Sequence, residues 1–388
     1  MERMSPEERM VLRLIPVSDT RRINQVDISS ITKLSERRVK KVIDTLVNRY
    51  GIVIIGERNG RTGYFIPETA EARKDGIKPM RSQAIKEFKR VSRILKGDLK
   101  AHEDLFAGIG GFRLGMEAAG HQCIGYCEID KFARASYKAI HDTKGEIELH
   151  DITTVSDEFI QSIGHVDIIC GGFPCQSFSI AGNRQGFEDT RGTLFFEIAR
   201  FAAILKPRIL FLENVKGLLH HDGGTTFGTI LETLDELGYD VEWQVLNSKN
   251  FGVPQNRERV FIVGHSRGTS GRKVFPIDGQ IKNVNRVRQI GNLIQTSSYG
   301  GNPHRGRVYS LDGISPCLNC MGGGGLEPKI YINKQIRKLT PKECWRLQGF
   351  PDWAFERAEK VNSNSQLYKQ AGNTVTVNVI KAIAKKLK

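Results

Sequence analysis

The sequence lacks the features that would place it in a membrane or outside the cell. No apolar run approaches the roughly 18 residues that a bilayer span requires, and residues 1–6 contain no apolar stretch of the kind found in signal peptides. The seven cysteines are an odd number, which favours free thiols over disulfides. We therefore expect a cytoplasmic protein that does not bind a membrane.

The sequence also lacks a complete set of metal ligands. Cys317 and Cys320 have the spacing of zinc ligands, but neither a second CxxC pair nor a His pair completes a set of four. We therefore predict no metal site.

Acidic residues are outnumbered, so the chain has a net charge of +15, most of it in the first 100 residues. A basic surface is stabilised beside a polyanion because it releases the counterions condensed there. Nucleic acid is therefore the expected partner, and a merely solvated basic surface is the alternative.

Residues 1–67 are predicted to form a winged helix-turn-helix-like DNA-binding domain. Ser5 and Pro6 begin a first helix, a short helix covers 27–33, and Ser35 caps a longer amphipathic helix over 36–49. The segments 52–55 and 63–66 are expected to pair as a wing across an Asn59-Gly60 turn. The basic face of the longer helix is expected to contact DNA: Arg37, Arg38, Lys40 and Lys41. A scaffold domain with a solvated charged face is the alternative.

The rest of the chain has the pattern of an α/β protein. Residues 68–100 are predicted to be a helical linker, and from 101 to 264 apolar strands alternate with amphipathic helices, which is typical of a doubly wound, mostly parallel sheet. Residues 265–336 are too many for a structureless loop, so they are expected to form a small irregular lobe. Residues 337–388 end that lobe and return to the sheet domain in a C-terminal helix.

A glycine-rich loop over 104–111 follows the first strand of this sheet. Gly108, Gly110 and Gly111 permit a tight strand-to-helix turn and the close approach of a ligand, although the third glycine of the dinucleotide fingerprint is absent. Glu128 ends the next strand, where an acid can accept ribose hydroxyl hydrogen bonds, and Asp151 follows the third strand. This combination predicts an adenosine-type cofactor site.

Cys175 follows the apolar strand over 166–170, at the edge where α/β enzymes bind their ligands. Pro174 stiffens the turn, and the polar loop that follows is unlike the surroundings of a core cysteine. No histidine base lies beside Cys175 in the sequence. It is therefore a candidate nucleophile, with an inert buried thiol as the alternative.

Two further strands carry ionisable residues to the same edge. Glu213 follows the strand over 208–212, and a partly buried carboxyl there can act as a general acid. Arg257 and Arg259 enter the last strand, where a guanidinium group suits a carbonyl or phosphate oxygen.

These motifs, in this order, resemble those of the DNA (cytosine-5) methyltransferases of prokaryotic or phage type. The matching segments are 104–111, Glu128, Asp151, 172–177, 213–215, 255–259, 347–351 and 370–375. The resemblance implies an S-adenosylmethionine-dependent methyltransferase fold with a target-recognition lobe at 265–336. It also implies methyl transfer from S-adenosylmethionine to C5 of a flipped-out cytosine in a specific sequence of double-stranded DNA.

The resemblance further implies roles for particular residues. Cys175 would attack C6 of the base, Glu213 would protonate N3, and Arg259 would hold O2 with support from Arg257. The implied cofactor pocket consists of Phe106, Gly108, Ile109, Gly110, Gly111, Glu128, Ile129, Asp151, Ile152, Pro174, Leu194, Asn373 and Thr374. The implied DNA contacts of the catalytic part are Gln176, Ser177, Ser179, Cys317 and Leu318. Related enzymes commonly carry a Thr-Leu pair where this chain has Cys317-Leu318.

The implied setting is a nucleoid-associated enzyme of a restriction-modification or orphan modification system. A cognate restriction endonuclease would be a functional rather than a physical partner. Two other functions stay open: an RNA cytosine-5 methyltransferase on the same scaffold, and a DNA-binding regulator with a vestigial catalytic domain.

Overall fold

The structure of the protein is a computed structural model. It describes residues 4–18, 20–57, 63–73, 101–174, 194–269, 273–279, 286–294, 296, 298–321 and 325–387. The chain divides into two compact units, Met1–Ile94 and Leu95–Lys388. From residue 74 onward, the predicted linker over 68–100 lies outside the described residues.

Among the described residues of the first unit, three short helices share one core. They are α1 (Pro6–Leu14), α2 (Gln25–Thr32) and α3 (Glu36–Asn48). Each begins after a polar residue whose side chain accepts a main-chain N–H of the first turn: Ser5, Asn24 and Ser35. Their apolar faces share one buried cluster: Val11, Ile15, Ile28, Val39, Val42, Ile43 and Leu46.

A two-stranded antiparallel hairpin follows α3. Its strands are β1 (Ile55–Glu57) and β2 (Gly63–Phe65). The predicted pairing of 52–55 with 63–66 is wrong in register, because only Ile55 of the first segment pairs, opposite Phe65. The reason is that the Ile52 N–H donates to Leu46 O at the end of α3, which keeps the start of this segment on the helix. The predicted Asn59-Gly60 turn lies outside the described residues.

Seven strands form the central sheet of the second unit, in the order β5-β4-β3-β6-β7-β9-β8. They are β3 (Ala101–Leu105), β4 (Gln122–Cys127), β5 (Ile147–Leu149), β6 (Ile168–Gly172), β7 (Ile209–Val215), β8 (Tyr239–Asn247) and β9 (Glu258–Ser266). Every pair is parallel except those of β9, which runs antiparallel to β7 and β8. The predicted mostly parallel sheet is confirmed.

Helices lie on both faces of this sheet. They are α4 (Gly111–Glu117), α5 (Lys131–Ile140), α6 (Asp157–Ile163), α7 (Leu194–Leu205) and α8 (Thr225–Glu236). Successive side chains of a strand point to opposite faces, so Ile169 packs in a cluster with Phe195 of α7, while Ile168 packs in a second cluster with Phe112 of α4. Burial on both faces explains why the sequences of these strands are nearly continuous apolar runs.

The described part of the second unit also contains a smaller sheet and four further helices. The strands are β10 (Gln289–Asn292), β11 (Arg307–Ser310), β12 (Lys329–Ile332) and β13 (Gln335–Lys338), adjacent in that order. The helices are α9 (Pro341–Leu347), α10 (Asp352–Ala358), α11 (Asn364–Asn373) and α12 (Val377–Ala384). Trp345 of α9 shares a buried cluster with Leu318 and Ile330, whereas Ile380 of α12 packs beneath the central sheet.

Candidate active site

Four segments of the chain meet at the carboxyl edge of the central sheet. The chain continues from β3 to β4 on one side of the β3–β6 boundary and from β6 to β7 on the other, and this strand order places a crevice at the carboxyl edge. β7 ends at the same edge, and antiparallel β9 begins there, with Arg259 opposite Val215. Ligands of open α/β sheets bind in such a crevice. This edge is therefore the candidate site.

Glu213 and Arg259 form a buried ion pair at this edge. They are diagonal neighbours on β7 and β9, and Arg259 Nε lies 3.1 Å from Glu213 Oε1. Glu213 is only 8% exposed, and a side chain on Gly172 of β6 would come within 3.3 Å of its carboxyl. Burial raises the pKa of Glu213, while the charges of Arg259 and Arg257 oppose that shift. The carboxyl is thus in surroundings where it can hold a proton.

Arg257 connects the start of β9 with two other segments, at Leu318 and at 372–374. It is 2% exposed, and its guanidinium donates to Leu318 O at 3.1 Å, Gly372 O at 3.0 Å and Thr374 O at 2.8 Å. Burial and the neighbouring Arg259 charge lower its pKa to about 10. Arg257 therefore fixes the main chain around the site.

The segment 315–318 of the small lobe lies against the start of β9. The Asn256 N–H donates to Ser315 O at 2.9 Å, and the Leu318 N–H donates to Gln255 Oε1 at 3.1 Å. The Cys317 thiol contacts Arg257 and, more distantly, Arg259. The Leu318 side chain is 1% exposed and packs in the core around Trp345, so its expected DNA contact stays a prediction.

The loop between β3 and α4 has two different glycine environments. Gly108 and Gly110 have φ values of +57° and +84°, which favour glycine. A Cβ on Gly108 would meet no atom of the described residues within 4 Å, whereas one on Gly110 would clash with His141 Nε2. Gly108 thus borders open space, and Gly110 packs on a buried ring.

Glu128 follows β4 and is bound to this loop. Its Oε2 accepts the Gly108 N–H at 2.8 Å, and its Oε1 accepts the Asp130 N–H at 2.7 Å. Burial raises the pKa of Glu128, and the two N–H donors oppose that shift. The carboxyl is therefore held in one orientation beside Gly108.

The other predicted cofactor residues differ in accessibility. Asp151 caps the helical turn Ile152–Thr154 by accepting the Thr153 N–H at 3.0 Å. Ile129 is 68% exposed. Phe106 and Leu194 are half-buried, and Pro174 and Asn373 are exposed. The buried members are Ile109, Gly111, Ile152 and Thr374.

Several predicted residues lie outside the described residues. They belong to the segment 175–193, which follows β6: Cys175, Gln176, Ser177 and Ser179.

Within the first unit, Arg37, Lys40 and Lys41 of α3 are exposed. Arg38 is also exposed but forms an ion pair with Glu7 of α1, 2.6 Å from Nη2 to Oε2. Three of the four predicted DNA contacts therefore take no part in this ion pair, whereas Arg38 connects α3 with α1.

A buried polar chain behind the site has no counterpart in the sequence-based assignment of roles. Gln255 Nε2 donates to Leu347 O at 2.8 Å, and Gln348 Nε2 donates to Ala371 O at 2.6 Å. The Thr376 hydroxyl donates to Gln348 Oε1 at 2.9 Å and also contacts Ser248. The motifs over 347–351 and 370–375 marked this region, but not which side chains meet in it.

No cluster of three or more metal-ligating side chains occurs among the described residues. None of the helices in the described part of the chain is long and apolar enough to cross a membrane.

Comparison with known families and proteins shows which family the chain belongs to. The family model for C-5 cytosine-specific DNA methylases matches residues 101–289 and 270–388. The type II methyltransferase M.HhaI of Haemophilus parahaemolyticus is 37% identical over 311 residues, which cover 72% of this chain and 92% of the relative. M.HpaII of Haemophilus parainfluenzae is 40% identical, with 73% and 88% covered. The orphan methyltransferase M.SPBetaI of Bacillus phage SPbeta is 31% identical, with 73% and 96% covered.

Solved structures with the same fold are more distant in sequence. The Dnmt2 methyltransferase of S. pombe has a TM-score of 0.57 at 20% identity, over 74% of this chain and 98% of that one. The Entamoeba histolytica methyltransferase EhMeth has a TM-score of 0.54 at 19% identity, over 75% and 98%.

Proposed function

Since the chain belongs to the C-5 cytosine-specific DNA methylase family and is therefore an S-adenosylmethionine-dependent DNA cytosine-5 methyltransferase, we propose the following roles for its residues. Cys175 is the nucleophile, Glu213 the general acid, and Arg259 the group that holds the base. The observation that carries this assignment is the buried Glu213–Arg259 pair at the carboxyl edge of the sheet.

The reaction requires activation of the base. C5 of cytosine is a weak nucleophile, so the Cys175 thiolate adds to C6 and converts the ring to an enamine whose C5 carries electron density. Bound S-adenosylmethionine supplies an electrophilic methyl group. After C5 has taken this methyl group and left S-adenosylhomocysteine, loss of the C5 proton to solvent water expels the Cys175 thiolate. Cys175 lies outside the described residues, and its role is proposed from its position directly after Pro174.

Glu213 carries the proton that this addition needs. Attack at C6 would leave negative charge on the ring, and a neutral carboxyl beside N3 removes that charge by donating its proton. The raised pKa of the buried Glu213 supports this role, because more of the carboxyl stays protonated near neutral pH. When the adduct breaks down, the same carboxylate takes the proton back.

Arg259 and Arg257 act at different distances from the base. Arg259 pairs with Glu213 through Nε and is only partly buried, so its outer edge suits the O2 oxygen of cytosine. Arg257 donates its hydrogen bonds to the main-chain carbonyls of Leu318, Gly372 and Thr374. It therefore supports the site without touching the base.

The crevice beside Gly108 fits S-adenosylmethionine. The open space above Gly108 allows a ligand to lie close to the backbone. Glu128 is fixed by two N–H donors and keeps further lone pairs for ribose hydroxyls. Exposed Ile129 offers an apolar surface for adenine, and Asp151 an acceptor for its amine. The remaining pocket residues are those named above from 106–111, 152, 174, 194 and 373–374.

The first unit is proposed to bind DNA as a winged helix-turn-helix. The order of three helices and a hairpin, together with the exposed Arg37, Lys40 and Lys41 on α3, supports this proposal. The enzyme would serve a modification system of the type II or orphan kind, as its relatives M.HhaI and M.SPBetaI are named, and associate with the nucleoid through its substrate. A restriction endonuclease would be a functional partner only.

Transfer of a labelled methyl group from S-adenosylmethionine tests the proposal. The wild-type protein should label duplex DNA and not tRNA, and Cys175→Ser should reduce labelling to background. Cys320→Ser, which changes an exposed thiol, should keep the wild-type rate. A Cys175→Ser protein that still labels DNA at the wild-type rate would contradict the mechanism, and labelling of tRNA alone would favour an RNA substrate.

A further inference from the structure

The sulfur of Cys317 lies between the two arginines of the site. It is 3.7 Å from Arg257 Nη1 and 4.0 Å from both Arg259 Nη1 and Nη2. A thiol sulfur is a weak but polarizable acceptor, so each contact is individually small. The three contacts converge on one atom, which is held in place because its segment is hydrogen-bonded to Gln255 and Asn256.

Two of the three guanidinium nitrogens of Arg259 contact an oxygen atom. Nε pairs with Glu213 Oε1, and Nη1 donates to Glu258 O at 2.8 Å. In the described part of the chain, Nη2 contacts only Cys317 Sγ. Because a guanidinium is planar, contacts at both Nε and Nη2 define the orientation of the whole group.

The sulfur also lies where two like charges approach each other. Arg257 lies directly before β9 and two residues before Arg259, and the guanidinium groups of both contact Cys317 Sγ. Their repulsion helps to lower the pKa of Arg257 to about 10. An electron-rich sulfur between the two groups offsets part of this repulsion. Three carbonyl oxygens already fix the position of Arg257. The sulfur therefore has its larger effect on the position of Arg259.

We propose that Cys317 is a positioning residue for Arg259. Its sulfur holds the guanidinium so that Nε stays on Glu213 while the outer edge faces the base oxygen. The inference rests on the proposed function, in which Arg259 holds O2 of the target cytosine. It assigns a role to the residue that this chain carries in place of the usual threonine.

Steady-state methyl transfer to duplex DNA by the full-length protein tests the role. Cys317→Ala removes the acceptor and should lower kcat about tenfold, with KM for S-adenosylmethionine within about twofold, because the cofactor pocket is untouched. Cys317→Ser keeps a small acceptor and should recover most of the loss. Cys320→Ala, three residues away and exposed, should behave as wild type.

Two results would overturn the inference while the wild-type enzyme is active. One is a Cys317→Ala variant with wild-type kcat. The other is a loss that Cys317→Ser does not recover and that raises KM for S-adenosylmethionine equally, which indicates a general structural role. A wild-type protein that transfers no methyl group to duplex DNA would instead overturn the proposed function and this inference with it.

Discussion

Two opposing effects act on the pKa of the Glu213 carboxyl: one favours its neutral form and the other its charged form. Burial at the sheet edge raises its pKa, and Arg259 at 3.1 Å opposes the rise. The raised pKa lets the carboxyl hold its proton to a higher pH than an exposed glutamate does. The sequence indicated that Glu213 follows the strand over 208–212, whereas it lies within β7, which continues to Val215. Its burial depends on Gly172 and Arg257, which come from distant segments.

Replacing Glu213 with glutamine should remove the proton but keep the shape of the side chain. We expect kcat to fall by about 100-fold or more, the usual scale for general acid catalysis, with little change in DNA affinity. In the wild type, kcat/KM should fall as pH rises through the raised pKa, because the neutral carboxyl is the active form. Steady-state rates from pH 6 to 9 measure both effects.

The matched control is Glu258→Gln, which changes an exposed carboxyl paired with Lys216. It should keep the wild-type rate and pH profile. A Glu213→Gln enzyme with an unchanged rate would show that Glu213 is not the proton donor.

Glu103 on β3 is a second buried carboxyl, and neither of its oxygens has a hydrogen-bond partner among the described residues. Burial raises its pKa to about 8, whereas in the unfolded chain it is about 4.3. Between these values the folded protein holds a proton that the unfolded chain has lost. The associated stability is complete below the unfolded pKa and is lost as pH rises to about 8.

Glu103→Gln should therefore make stability less dependent on pH. The free energy of unfolding in urea, measured from pH 5 to 8, should decline less steeply than in the wild type, by about 1.4 kcal/mol per pH unit. Glu232→Gln, on the exposed side of α8, should leave the slope unchanged. Equal slopes in the wild type and Glu103→Gln would mean that Glu103 is ionised in the folded protein.

At the scale of elements, the turn from β3 into α4 combines a local and a distant requirement. The glycine-rich sequence indicates a tight turn, and the positive φ of Gly110 meets that expectation. The second requirement comes from His141, which ends α5 and lies against Gly110. Burial lowers the pKa of His141 to about 3, so the ring that packs there is neutral.

Gly110→Ala should consequently cost more stability than Gly120→Ala. Both residues have similar positive φ values, but a Cβ on Gly120 would meet no described atom within 4 Å. Backbone strain should cost each variant about 1 kcal/mol, and the clash with His141 should add about 1–3 kcal/mol in Gly110→Ala. Urea unfolding measures the difference. Equal losses in the two variants would contradict the packing of His141 on the loop.

The elements that depend on local signals were predictable from the sequence. The helix predicted over 36–49 is observed as Glu36–Asn48, because Ser35 and the apolar spacing both act within the helix. The hairpin register was not predictable, because it depends on the main-chain hydrogen bond between Ile52 and Leu46. The chain of Gln255, Gln348 and Thr376 was not predictable either, since its members are far apart in sequence and meet only in the folded protein.

At the scale of the whole molecule, the net charge of +15 requires the affinity for DNA to depend on salt. In the first unit, the exposed basic residues of α3 are free of the ion pair that holds Arg38 to Glu7. They are therefore the residues through which that unit would contribute to the salt dependence.

A variant with alanine at Arg37, Lys40 and Lys41 tests this contribution. If each residue contacts one phosphate, the slope of log affinity against log salt should shrink by about 2 to 3, since each contact contributes about 0.9. Titration of labelled duplex DNA at several salt concentrations measures the slope.

The control replaces Lys381, Lys385 and Lys386, which removes the same charge at the end of α12. That helix end lies at the opposite edge of the sheet, where Ala384 O contacts His121 at 3.1 Å. The control should keep nearly the wild-type slope. Equal changes in both triple variants would favour a scaffold role for the first unit.

Bisulfite sequencing of DNA from cells that express either the wild-type chain or Cys175→Ser tests methylation through Cys175. We expect 5-methylcytosine at one recurring sequence with the wild type and none with Cys175→Ser. The same methylation in both samples, or none in either, would rule out this mechanism.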